Sequence, residues 1–134
     1  MPAGEIRVAI NSDQDIVSAR QKGRLMATEL GFSTGDATLI ATAISELARN
    51  IVSYARKGRI TLRGVQGSNR VGILIVASDD GPGIPDIRQA LRDGFSTSGS
   101  LGLGLPGVRR LMDEFEITSQ PGRGTTVMVK KWRQ

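Results

Sequence analysis

Glu46-Leu47-Ala48-Arg49-Asn50 lies inside an apolar-periodic run over residues 36–56, and the reading of that run decides the fold. Leu39, Ala43, Leu47 and Ile51 recur every four residues, and Ile40, Ile44 and Val52 widen the stripe. That period predicts a helix with one face turned to a core. Ser33 or Thr34 suits its N-cap, and Gly58 is expected to stop it. Glu46 and Asn50 are four apart, so they share a face, with Thr42 one turn earlier. An Asn inside a helix carries a propensity cost, because its amide competes with the backbone. Read alone, the pair fits a satisfied polar contact as well as a site.

Working outward, residues 5–10 alternate, with Ile6, Val8 and Ile10 on one side, and predict a half-buried strand. Asn11, Ser12 and Asp13 offer caps for a helix reaching Leu30, which Gly31 ends; Ile16, Ala19, Met26 and Leu30 form its core stripe. Gly23 in its middle marks close packing or a propensity cost. Residues 59–65 and 71–78 read as a hairpin around Gly67-Ser68-Asn69. A short helix over 86–92, a Gly/Ser/Thr-rich lid over 94–104 and a helix from Pro106 to Glu114 follow. A last hairpin pairs 116–119 with 125–132. The order predicts an α+β fold: a two-layer sandwich, a mixed β-sheet with helices on one face, residues 1–134 forming a single domain.

Two further segments carry chemistry. Asp79-Asp80-Gly81-Pro82-Gly83 follows the apolar strand Ile73-Leu74-Ile75-Val76. An acid at that strand end is placed to accept from an exocyclic amine, and Gly81 and Gly83 let a flat ring approach the backbone. Read alone, the segment is equally a strand-ending Asx turn. Gly99-Ser100-Leu101-Gly102-Leu103-Gly104-Leu105 is a glycine-rich loop feeding a helix N-terminus, which favours anions. Gly102, Gly104 and Gly107 satisfy G-x-G-x-x-G, but no strand precedes them, so the dinucleotide reading fails. The Walker lysine pattern and the protein-kinase signatures are absent. Arg109 and Arg110 read as a solvated basic face and Trp132 as a packing residue. An Asn oxygen suits Mg2+, a neighbouring carboxylate suits a hydroxyl nucleophile, and the three segments together are the parts of an ATP site.

Composition narrows the chemistry. The 134 residues contain no Cys and no His, which excludes disulfides, thiolate catalysis, phosphohistidine and the usual transition-metal sites. Net charge is +5, with 14 of 18 basic residues Arg. The bases are scattered and aromatics are 4%, so nucleotide phosphate and acidic proteins are expected as partners, not nucleic acid. No membrane span or signal peptide is read, so a cytoplasmic location is expected.

These three segments in this order, with Gly124-Thr125 before the last strand, resemble the GHKL superfamily and its Bergerat ATP-binding fold. Size and the absence of His and of a dimerisation helix point to its anti-sigma-factor serine kinase branch. Residues 43–50, 79–87, 93–99, 105–108 and 110–115 are most similar to stressosome switch kinases within that branch. The resemblance implies Glu46 as catalytic base and Asn50 as ligand of Mg2+ in a bound ATP. It implies Asp79 as reader of the adenine amine, supported by Thr125, with Gly81 and Gly83 lining the adenine pocket. The lid residues Thr97, Ser98, Gly99, Leu101, Gly102, Leu103 and Gly104 would cover the phosphates. Implied partners are STAS-domain scaffold proteins as substrates and a PP2C-type phosphatase activated by the released kinase. The alternative is an anti-sigma factor that sequesters a sigma factor in a nucleotide-dependent way.

Overall fold

A computed structural model describes residues 4–82 and 104–133. In chain order these form β1 (Ile6–Ile10), α1 (Asp13–Glu29), α2 (Thr34–Tyr54), β2 (Gly58–Gly67), β3 (Arg70–Asp79), α3 (Gly104–Leu111), β4 (Glu114–Gln120) and β5 (Gly124–Trp132). The strands make one sheet in the order β1-β2-β3-β5-β4, and all four pairings are antiparallel. Alternation along β3 buries Ile73, Ile75 and Ala77 against the helical layer, as Ile60 and Leu62 do from β2 and Val127 and Val129 from β5. The α+β sandwich expected from the element order is the fold the chain adopts, and the sheet, expected to be mixed, is wholly antiparallel among the described residues.

Local chemistry starts both long helices. The Asp15 carboxylate accepts from the amides of Asn11 (2.8 Å) and Ser12 (3.2 Å), tying down the chain before α1. Ser33 caps α2 by accepting from the Asp36 amide at 3.1 Å. In α2 the buried face is Ala37, Ile40, Ala43, Ile44, Leu47 and Ile51. Burying each large aliphatic side chain contributes about 1.5–3 kcal/mol.

Several expected boundaries move. Leu39 is 37% exposed and lies off the core stripe, which runs through Ile40 and Ala41. Helix α1 ends at Glu29, and Leu30 is its buried C-cap. Helix α2 ends at Tyr54, ahead of Gly58, because Arg56 takes up the left-handed conformation (φ 69°) that usually falls to glycine at a helix end. Helix α3 ends at Leu111, not Glu114: the Asp113 amide donates to the Lys130 carbonyl (3.0 Å), and pairing with β5 displaces the helix. Trp132 packs as expected, its ring under the Arg70 guanidinium at 3.8 Å and its Nε1 donating to Glu114 Oε2 at 2.7 Å. Among the described residues no helix is long and apolar enough to cross a membrane. The expected helix over 86–92, Gly83, and Thr97, Ser98, Gly99, Leu101, Gly102 and Leu103 lie outside the described residues.

Candidate active site

Asp79 ends the central strand, with Gly58 of β2 on one side of it and Thr125 of β5 on the other. Its Oδ1 accepts from the amides of Gly81 (2.9 Å) and Thr125 (3.3 Å). Among the described residues no hydrogen bond falls on Oδ2, so that oxygen remains an acceptor for a ligand. Three glycines let the backbone close around this acid. A Cβ on Gly58 would lie 2.5 Å from the Ser78 carbonyl oxygen, and one on Gly81 2.5 Å from the Ala55 Cβ. A Cβ on Gly124 (φ +94°) would overlap the Asp79 carbonyl oxygen. Gly124 therefore needs both its missing side chain and its left-handed backbone.

In front of Asp79 is a cleft between α2, α3 and the sheet. Its walls are Leu47, Ile51, Ala77, Leu105 and Val127, with Tyr54. Asn50, Asp79 and Thr125 bring polar groups to it. Apolar walls with a few convergent polar groups suit a flat heteroaromatic ring. Thr125 is steadied by its hydroxyl partner, Ser119 Oγ at 2.8 Å. Gly81 buttresses Asp79 from beside Ala55 and is not one of the lining residues.

One turn along α2 from Asn50, Glu46 is 7% exposed. Its Oε1 accepts from Arg49 Nη1 at 2.7 Å and its Oε2 from the Gly104 amide at 3.3 Å. Gly104, expected beside phosphates, opens α3 with φ +64° and gives its amide to Glu46. Asn50 lines the cleft with a side-chain amide, a group whose oxygen is a hard neutral donor. Among the described residues no cluster of three acids exists that would hold a metal unaided. That donor set fits Mg2+ arriving with nucleotide phosphates, since this ion keeps waters and takes phosphate oxygens readily.

Sequence reasoning brought Asn50, Asp79 and Thr125 to this one cleft, and Glu46 to its border. It missed Ser119, Arg49 and the tight approach at Gly58. Gly58, expected as a helix stop, stands beside Asp79 through the strand register.

Residues 35–134 match the family described as histidine kinase-, DNA gyrase B-, and HSP90-like ATPase. The chain is 58% identical over 125 residues to the serine/threonine-protein kinase RsbT of Bacillus subtilis, covering 93% of this chain and 94% of that one. It is 31% identical over 129 residues to an anti-sigma F factor of a Thermoanaerobacter species, covering 92% and 89%. Among solved structures, the RsbU and RsbW domains of a Mycobacterium tuberculosis protein superpose with a TM-score of 0.65 at 20% identity. That match covers 99% of this chain and 34% of the longer one. The mycobacterial sensor histidine kinase MprB superposes with a TM-score of 0.56 at 20% identity, covering 96% and 98%. At that identity both structures speak to the fold alone.

Proposed function

Because the chain belongs to the histidine kinase-, DNA gyrase B- and HSP90-like ATPase family and is a serine/threonine-protein kinase, we propose that it phosphorylates STAS-domain scaffold proteins of a stressosome. The observation that carries this reading is the convergence of Asn50, Asp79 and Thr125 on one cleft, with Glu46 a helical turn away. In it, Asp79 Oδ2 accepts from the adenine amine while Oδ1 stays on its two backbone amides. Leu47, Ile51, Ala77, Leu105 and Val127 sandwich the ring and exclude water. The Asn50 side-chain oxygen would hold Mg2+, which would supply positive charge to offset that of the phosphates. Phosphoryl transfer has a loose transition state, so positioning matters more than base strength. Glu46 orients the incoming hydroxyl and takes its proton late.

Phosphorylation adds roughly −1.5 to −2 charges to the scaffold, which weakens its hold on the kinase. The released kinase then binds and activates a PP2C-type phosphatase. The reaction belongs to the cytoplasm, where ATP and these partners meet. Residues 1–134 act in it as one domain.

The test is incubation with Mg·ATP and the STAS-domain proteins encoded beside it, with phosphate read by mass. Glu46→Gln should abolish transfer and keep nucleotide affinity; transfer at the original rate removes Glu46 as base. Similarity to anti-sigma F factors favours a second reading, a sequestering module whose affinity ATP sets. Capture of a sigma factor in place of a STAS protein from paired pull-downs would decide for it.

A further inference from the structure

Arg49 has no part in the nucleotide cleft, yet it makes the shortest contact to the group assigned as base. Its Nη1 stands 2.7 Å from Glu46 Oε1, three residues back on the same helix. An exposed pair of this spacing is worth only a few tenths of a kcal/mol. This one differs, because the carboxylate end is 9% exposed and the guanidinium end 35%. A carboxylate so far out of water needs a charged partner, and breaking such a pair strands the remaining charge.

The two oxygens of Glu46 are held unequally. Oε1 has the short charge-assisted bond from Arg49. Among the described residues, Oε2 has only the Gly104 amide at 3.3 Å, a length beyond the usual range for N–H···O. Oε2 is therefore the oxygen that gives up its partner at little cost.

We propose that Arg49 is a positioning residue for phosphoryl transfer: it clamps Glu46 Oε1 and leaves Oε2 as the atom that receives the proton. This rests on the assignment of Glu46 as base. The acceptor hydroxyl loses its proton to Oε2 as its oxygen bonds the γ-phosphorus. The bond from that phosphorus to the bridging oxygen breaks, and ADP leaves with the electron pair. Arg49 touches neither reactant. It fixes the carboxylate's rotation about its last bond, so that one lone pair of Oε2 faces the hydroxyl.

Arg49→Met keeps the stem and removes the fork; Arg49→Lys keeps the charge in a different shape. Phosphate transfer from Mg·ATP to the STAS-domain protein gives kcat and both KM values, and calorimetry gives affinity for Mg·ADP. Arg49→Met should lower kcat about 10- to 100-fold, as misplacement of a catalytic group by about an ångström does, with Mg·ADP affinity within about twofold of the original. Arg49→Lys should recover to within about tenfold of the original kcat. In a Glu46→Gln background, Arg49→Met should cost nothing further, because the two act as a unit. An unchanged kcat in Arg49→Met, or additive losses in the double variant, overturns the proposal. So does a raised KM for the protein acceptor at constant kcat, which would make Arg49 a docking contact. Full transfer by Glu46→Gln alone instead sinks the base assignment itself.

Discussion

Asp79 accepts two backbone amides through Oδ1, and among the described residues none through Oδ2, the oxygen proposed to meet the adenine amine. Asp79→Asn separates the two duties. The asparagine oxygen can keep the Gly81 and Thr125 amides, while its NH2 turns a donor toward the adenine amine, which is also a donor. One charge-assisted hydrogen bond contributes about 1.5–3 kcal/mol, so Mg·ATP affinity should fall roughly 10- to 100-fold while the unfolding midpoint of the free protein barely moves. Calorimetry with thermal unfolding of the same samples checks it, and unchanged affinity would remove Asp79 from the purine site. Asp79 and Asn50 are legible in the sequence because each breaks a local rule, an acid ending an apolar strand and an amide inside a helix. Ser119 breaks none: it is an ordinary strand serine until the hairpin sets it 2.8 Å from the Thr125 hydroxyl. The role of Gly58 stays hidden for the same reason, since its neighbour Asp79 is brought to it only by strand pairing.

Between elements, the close approach of α1 and α2 depends on Gly23, where a Cβ would overlap the Ile44 Cδ1. Gly23→Ala therefore sets two effects against each other. Helix propensity gains roughly 0.5–1 kcal/mol, and overpacking costs about 1–3 kcal/mol. The net expectation is destabilisation by about 1 kcal/mol. Ile44→Val removes the offending methyl and alone costs about 0.5–1.5 kcal/mol, but in the Gly23→Ala background it should cost less, a coupling that urea unfolding of the four proteins would measure. Strict additivity would mean that the helices do not meet there. The sequence allowed close packing at Gly23 without identifying the partner, because a helical period shows which face is buried and not what lies on it. The same limit moved Leu39 off the core: a strict four-residue stripe drifts around a helix of 3.6 residues per turn, and Leu39 ends up exposed. Helix ends shifted wherever long-range pairing competed, as where β5 captured Asp113 and cut α3 short.

Across the molecule, the site is a product of strand order. The element sequence foretold a sheet with helices on one face, but not that β5 would slot between β3 and β4. That insertion sets Thr125 beside Asp79 from 46 residues away, and α2 then lays Asn50, Ile51 and Tyr54 over the pair. The cleft thus draws on α2, α3, β3 and β5 at once, so ATP bound there gains affinity only while all four are assembled. Binding to the folded state alone should stabilise the whole chain by about 2.7 kcal/mol at a ligand concentration roughly 100 times Kd. For a domain of this size that is a rise in Tm on the order of 10 °C. The size of the shift separates the parts of the site. Glu46→Gln should keep most of it, because the base contributes to transfer more than to affinity. Asp79→Asn should lose most of it, through the purine contact. Chelating Mg2+ should reduce the shift with ATP, because the cation that Asn50 would hold then no longer offsets the phosphate charge. A shift with ATP that survives chelation intact would leave Asn50 without its assigned role, even while the purine end of the cleft stood.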